Sequence, residues 1–583
     1  MAIWLNGLSA LTARFGAVSA IVFLILWGTV LVRGVLVKIF HNRLTDDEYL
    51  ALSLAGWIIP VLLWAWLYLG LFFLFGNPLG IVLSILAALS SLFFLRGRMP
   101  RFPPSGIVLI LFIAMSIVLR MAFVREMLLP SYFDSAEHYR IIQSLVGAEP
   151  NWITPAYYHI GYHIMNAAIV AAFQLRVEDV MLVFGQVVLA VLPVSLFFII
   201  RRETHSTSAA WFAVLLAGFG WHMPSHAMNW GKYPALFSLV CIHFALSLAY
   251  LYGNEFKEYR NTFLRFFALA VGVSALIHTR SLIVYGLVAL AFGATWWWGH
   301  RSPIVQRASF GALVLILAFE IYLLTPNPAL ALLVDSYLRN DVWMLALLLL
   351  LLPFAMLSYS RFVVLILVAV AIALAALFIP FRLSGYGILT PLDRPYVQML
   401  AYLPFSIIGG LGLAGLIQWT RRFFLNPSLP ARILFFSTLG LLLIHTSLNY
   451  KFYPSDCCQL AGRDDLAALD WIADTLPPDA NIMIASSAFH VTSFETDAAQ
   501  AGSDAGIWIP ALTSREVMLM PYHTRFQQAD VRQWVCSQNV DYIYIGGMSQ
   551  SFDAVQFASQ PNWYQEAFAL SGAKIYRVVG CRE

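Results

Sequence analysis

Tyr157-Tyr158-His159-Ile160-Gly161-Tyr162-His163-Ile164-Met165-Asn166-Ala167-Ala168-Ile169-Val170-Ala171-Ala172-Phe173 is apolar enough to pass for a membrane helix, and whether it crosses decides the topology of everything after it. His159, His163 and Asn166 stand at i, i+4 and i+7, on one helical face, so the segment is amphipathic as well as short. If it does not cross, the basic clusters Arg96/Arg98/Arg101, Arg201/Arg202, Lys257/Arg260/Arg265, Arg301/Arg307, Arg361 and Arg421/Arg422/Arg432 all fall on one side. The positive-inside rule makes that side the cytoplasm. If it does cross, the early and late clusters contradict each other. The segment is therefore read as a surface or re-entrant helix inside one long extracytoplasmic loop, residues 125–179, with the N-terminus outside as well.

Composition agrees with a membrane-embedded chain. Hydrophobic residues make up 60% of the 583 and charged residues 11%, and the mean hydropathy is +0.75. An ordinary soluble globule does not look like this. A net charge of +4, spread over short basic clusters, argues against nucleic acid as a partner. The apolar run 16–37 is too long for the core of a signal peptide and reads as a retained helix. Scanning for runs of spanning length gives about fourteen crossings, the third at 79–95 and the last at 433–448.

After Asn449 charged residues, Gly, Pro and Ser return. Residues 466–475 and 531–537 read as helices, and 481–486, 540–546 and 573–579 as strands, which together imply a small soluble α/β domain. The chain thus divides into N-terminal helices (1–105), a membrane domain with the long loop (106–449) and an extracytoplasmic domain (450–583). Cys457, Cys458, Cys536 and Cys581 lie in the last part and Cys241 in an apolar run; outside the cytoplasm a disulfide is permitted, with several pairings open.

Polar residues that carry chemistry are few, and ionisable groups beside membrane helices are functional candidates by default. Asp134 and His138 are one helical turn apart, a carboxylate able to take a proton or hold a cation and an imidazole able to orient it; the plain alternative is a solvated loop. His159 and His163 lack the glutamate of a zinc-protease motif, which argues against a protease, and with Tyr157, Tyr158 and Tyr162 they also fit an interfacial anchor. A second outer loop carries Trp221, His226, Asn229, Trp230 and Lys232, with Lys232 suited to a phosphate and Asn229 to a hydroxyl. Later loops add His278, Arg280, Asp335, Arg339, Arg382, Asp393 and Arg394; Arg339 and Arg382 fit snorkelling surface residues better than Arg280 or Arg394 do. Glu320, inside an apolar run, is read as neutral or paired within the bundle.

The arrangement resembles the GT-C class of integral-membrane glycosyltransferases over most of the chain: many helices, a long first loop with an acidic residue just past a helix, an amphipathic helix within that loop, and an extracytoplasmic C-terminal domain. It is similar to prokaryotic members with a D-x-x-x-H element, here Asp134 and His138, followed by a Y-P-x-G-x-H element, here Tyr158, Gly161 and His163. His159 stands where that pattern has proline, and the segment 503–515 also resembles one that such proteins carry in the outer domain.

The resemblance implies an inverting glycosyltransferase acting on a polyprenyl-phosphate-linked sugar at the outer face of the cell membrane. Asp134 would be the base, and His138 and His163 would shape the site. Arg394, Arg280 and Lys232 would hold the donor phosphate. If a divalent cation such as Mg or Mn is used, Asp134, His138 and His163 would bind it. The acceptor would be a lipid, a glycan or a protein, and membrane lipids would surround the chain. The alternatives are a transporter or flippase of lipid-linked glycans, which calls for polar groups along a mid-bilayer path, and a noncatalytic membrane scaffold.

Overall fold

The computed structural model describes residues 2–40, 43–76, 104–147, 159–255, 260–383, 387–422, 428–489 and 499–581, with scattered positions between 78 and 89. Much of the run 79–95, the basic residues Arg96, Arg98, Arg101 and Lys257, and Tyr157 and Tyr158 lie outside the described residues.

The first part comprises α1 (Ala2–Ala13), α2 (Phe15–Phe40), α3 (Asp46–Gly56), α4 (Ile58–Phe75) and α5 (Pro104–Met121). Thr45 and Glu48 start α3 with a reciprocal capping box, each side chain accepting the other's backbone N–H. The middle holds α6 (Phe133–Val146), α7 (Gly161–Phe173), α8 (Val177–Val191), α9 (Val194–Thr204), α10 (Thr207–Phe219), α11 (Met223–Asn229), α12 (Tyr233–Glu255) and α13 (Arg260–Ile277). The last bundle helices are α14 (Arg280–Gly299), α15 (Pro303–Leu324), α16 (Pro328–Ala375), α17 (Arg394–Thr420) and α18 (Ser428–Asn449), with a short hairpin of β1 (Phe381–Leu383) and β2 (Gly387–Leu389) before α17.

Ten helical spans among the described residues are long and apolar enough to cross a membrane. The sequence runs outnumber them for local reasons. Residues 208–222 form the short helix α10 and 263–276 form α13, whose apolar part is also short. The runs 342–357 and 362–379 join in α16, which breaks at Asp341 and Tyr359. Asp341 leaves helical geometry at its break, accepts the His222 backbone N–H at 3.0 Å and meets the His222 ring at Nδ1.

The two ends of the bundle are marked by ion pairs. At one end Arg33 meets Asp46 and Arg202 meets Glu48, while Glu203 accepts the Tyr250 hydroxyl at 2.6 Å. At the other end Arg14 pairs with Asp179, and Asn6 donates to the Tyr453 hydroxyl at 2.7 Å. Helix α7 begins and ends at this second end. Its first residue, Gly161, lies against the backbone of Leu276 at the end of α13, where a Cβ would come within 2.9 Å of the carbonyl. The residue that follows its C-cap, Leu175, packs near Gly16 at the start of α2. Both ends of α7 thus meet residues at the same end of the bundle. It is not a surface helix, however: residues 161–171 are all buried. Its apolar sequence is satisfied by protein, and only thirteen residues, about 20 Å, are needed to enter and leave the bundle.

The C-terminal domain adds α19 (Arg463–Thr475), β3 (Ile482–Phe489), β4 (Ala499–Gly502), α20 (Ile509–Thr513), β5 (Val517–Pro521), α21 (Ala529–Ser537), β6 (Tyr542–Ile545), α22 (Ala554–Ala558), β7 (Tyr564–Ala569) and β8 (Lys574–Val578). Its six-stranded sheet centres on β3, with β5 and β6 parallel to it and β4 antiparallel; β8 and β7 continue antiparallel beyond β6. The expected helices and three of the strands are present; β4, β5 and β7 are additional. Cys536 and Cys581 form a disulfide, as do the adjacent Cys457 and Cys458, while Cys241 is free and buried. This domain packs on α6: Ala136 and Leu129 share a core with Leu469, Ile472, Ile484 and Trp508. The Trp508 ring meets Tyr139 edge-on at 5.7 Å, so the segment 503–515 is part of the contact.

Candidate active site

Helix α6 starts abruptly. Tyr132 precedes it at φ 68° and ψ 162°, a conformation that side chains other than glycine rarely adopt. Its N–H donates to the Cys458 carbonyl at 2.9 Å, and its ring lies 4.4 Å from that of Phe133. Asp134 follows in the first turn, where the helix dipole favours a carboxylate.

Asp134 lines a cavity of about 210 Å³ together with Glu137, His138, His159, Lys232, His278, Arg280, Asp393, Tyr396 and Met399. The wall thus joins the start of α6 and the residue His159 to the N-terminal ends of α12, α14 and α17. Lys232 forms an ion pair with Asp134, and Arg280 pairs with Asp393 at 2.8 Å. Burial is the largest single influence on the Lys232 ammonium and would lower it, but the charge and hydrogen bond of Asp134, with the charge of Asp393, together leave the group raised above its ordinary value. Gly231 makes this approach feasible: it sits at φ +62°, and a Cβ there would lie 2.5 Å from Ser135 Oγ and 3.0 Å from the Ser131 carbonyl.

His138 sits one turn after Asp134, and its Nδ1 lies 3.0 Å from His163 Nε2. One ring nitrogen donates and the other accepts, so the pair shares a single proton between neutral rings. Burial holds His138 down at about 3, with His159 and Lys232 adding to the effect. His163 is fully buried behind His138, outside the cavity wall. His159 does face the cavity, its ring 4.4 Å from that of His278, and burial followed by the charges of Arg280 and Lys232 holds it at about 4.

Arg394 does not line the cavity, although its neighbours Asp393 and Pro395 do. It is 9% exposed, 5.5 Å from the Trp230 ring centroid and 3.4 Å from Gln398 Oε1. Asn229, read as a hydroxyl contact, holds Ser455. Glu320 is buried in α15, and Arg339 and Arg382 are exposed. The nitrogens through which His138 and His163 would jointly hold a divalent cation face each other, and among the described residues no three carboxylate, thiol or imidazole groups converge as ligands. The set Asp134, His138 and His163 therefore does not fit a metal.

Sequence reading passed over Tyr132 and Glu137 as site residues and gave Asp393 no role. Backbone strain has no sequence signature, and the Arg280–Asp393 pair joins residues far apart in the chain. Chemically, the cavity offers one carboxylate held beside an ammonium, a second carboxylate–guanidinium pair, and imidazoles that stay neutral near pH 7. That set can accept a proton at Asp134 and meet an anion at Lys232 or Arg280. No model of a known protein family matches the chain, and no curated protein matches it.

Proposed function

We propose that the protein is an inverting glycosyltransferase that moves a sugar from a polyprenyl-phosphate donor to an acceptor hydroxyl at the outer face of the cell membrane. The observation that carries this reading is the common cavity of Asp134, Lys232 and Arg280 at the end of an apolar bundle. A proton acceptor beside two cations at the end of such a bundle supports a reaction on a lipid-borne phosphate. In the proposed step Asp134 takes the acceptor hydroxyl proton as that oxygen attacks the anomeric carbon. The bond from that carbon to the phosphate oxygen breaks, its electron pair leaves with the phosphate, and Arg280 and Lys232 stabilise the developing charge. His138, backed by His163, forms the neutral wall beside Asp134, and Arg394 acts from behind Trp230 rather than on the phosphate directly.

The topology that goes with this function counts α10, α13, the run 79–95 and both halves of α16 as crossings, which restores about fourteen. The α/β domain then lies outside the cytoplasm, where its disulfides are stable.

The test is a screen of the purified protein in proteoliposomes against labelled polyprenyl-phosphate sugars with lipid, glycan and peptide acceptors. Transfer with inverted anomeric configuration from at least one donor is expected. Transport of the intact lipid-linked sugar across the bilayer without cleavage would replace the proposal with a flippase.

A further inference from the structure

We infer that the turn formed by residues 455–458 is a thiol-sensitive clamp that holds Asp134 and Lys232 together. The proposed function enters only as what the clamp serves. Asp134 and Lys232 are carried by separate segments, and the same short turn grips both. On one side the Cys458 carbonyl accepts the N–H of Tyr132, two residues before Asp134, at 2.9 Å. On the other, Asn229, three residues before Lys232, accepts the Ser455 N–H at Oδ1 and donates from Nδ2 to Ser455 Oγ, both at 3.0 Å. The Cys458 N–H donates to the Ser455 carbonyl at 3.0 Å and closes the turn. Gly231 fills the gap between the gripped segments, against Ser131 and Ser135.

The left-handed φ of Tyr132 persists only where its surroundings over-determine it. The carbonyl that holds it belongs to a residue inside the Cys457–Cys458 disulfide ring, which restricts the backbone on either side of the bridge. Cys458 is buried, whereas Cys457 is exposed, so one sulfur is open to attack. A thiolate of a small dithiol attacks there and forms a mixed disulfide, and its second thiol resolves it. Two electrons and two protons pass from the dithiol to the cysteines, leaving two protein thiols and the oxidised reagent. With the ring open, the Cys458 carbonyl is no longer fixed, Tyr132 relaxes towards an ordinary extended conformation, and the start of α6 moves Asp134 away from Lys232. The turn therefore supplies positioning residues, Ser455 and Cys458, from outside the bundle.

Amide hydrogen exchange read by mass spectrometry tests this on the full-length chain, with and without dithiothreitol. Peptides covering residues 130–136 are expected to exchange about tenfold faster after reduction, while peptides covering β3 and β6 keep their rates. Cys457→Ser, which leaves Cys536–Cys581 intact, is expected to show the fast rate without reductant and no further response at 130–136; Cys458→Ser is expected to match it. Alkylation of both Cys457 and Cys458 in the unreduced protein would overturn the inference, as would an unchanged rate at 130–136 after the bridge is shown to be reduced. The exchange is read without any sugar donor, so failure of the clamp and failure of the transferase reading are told apart.

Discussion

At one end of the bundle Arg33 meets Asp46 and Arg202 meets Glu48, each pair bracing adjacent helices; at the other, Lys232–Asp134 and Arg280–Asp393 face one cavity. The chemistry of the paired groups is the same; the difference in surroundings lies between Arg33–Asp46 and Lys232–Asp134, because Arg202–Glu48 is as enclosed as the cavity pairs. Asp46 is half exposed, so water screens its charge and the pair contributes little. Lys232 and Asp134 are largely enclosed, and each depends on the other for compensation. Ion pairs at the first end tie helices together, whereas those at the second line one cavity and hold the groups of the proposed site.

Lys232→Met breaks the second kind. It leaves Asp134 enclosed without its cation and, on the proposed function, removes a contact to the donor phosphate, so transfer should fall by about 10²-fold. The unfolding free energy should also fall, by about 1–3 kcal/mol, less than for a fully buried pair because both groups keep some solvent. Steady-state transfer and denaturant titration check the two parts.

Acid sharpens the comparison next. Burial depresses His138 to about 3 and His159 to about 4 from an ordinary 6.5. The unfolded chain therefore binds protons in a window where the folded chain does not. The stability of these neutral rings is complete above pH 6.5 and is lost as the pH falls towards 4, at about 1.4 kcal/mol per pH unit for each ring. Thermal denaturation between pH 7 and 5 should show the decline, and His159→Asn should make it shallower.

Gly231→Val places a branched side chain at a left-handed φ and against Ser135. Strain of about 1–3 kcal/mol is expected, with slower transfer because Lys232 is displaced. Asp46→Asn, at the opposite end, should cost less than about 1 kcal/mol and leave transfer unchanged. If it slows transfer as much as Lys232→Met does, the two ends do not differ in the way described.

The layout was legible where local chemistry governs it. Helical and strand periodicity, with the Gly and Pro residues that return after Asn449, marked α19, β3, β6 and β8. What the sequence concealed depends on tertiary distance. Apolar residues 161–173 suit a lipid interface and a protein interior equally, and only the surrounding helices show that α7 is buried. Lys232 was expected at a phosphate and is found at Asp134; His163 was expected in the site and stands behind it. Arg394 turns towards Trp230, while the preceding residue, Asp393, enters the cavity. Spacing along the chain identifies the groups, but packing decides which of them meet.

The most direct measurement of the central claim compares single-turnover transfer by Asp134→Asn and Glu137→Gln, two carboxylates on one helix that both line the cavity. Glu137 is exposed and committed to Arg140, whereas Asp134 is placed to take the proton. The base role predicts a loss of at least about 10³-fold for Asp134→Asn and a rate near wild type for Glu137→Gln. Full turnover by Asp134→Asn would contradict it.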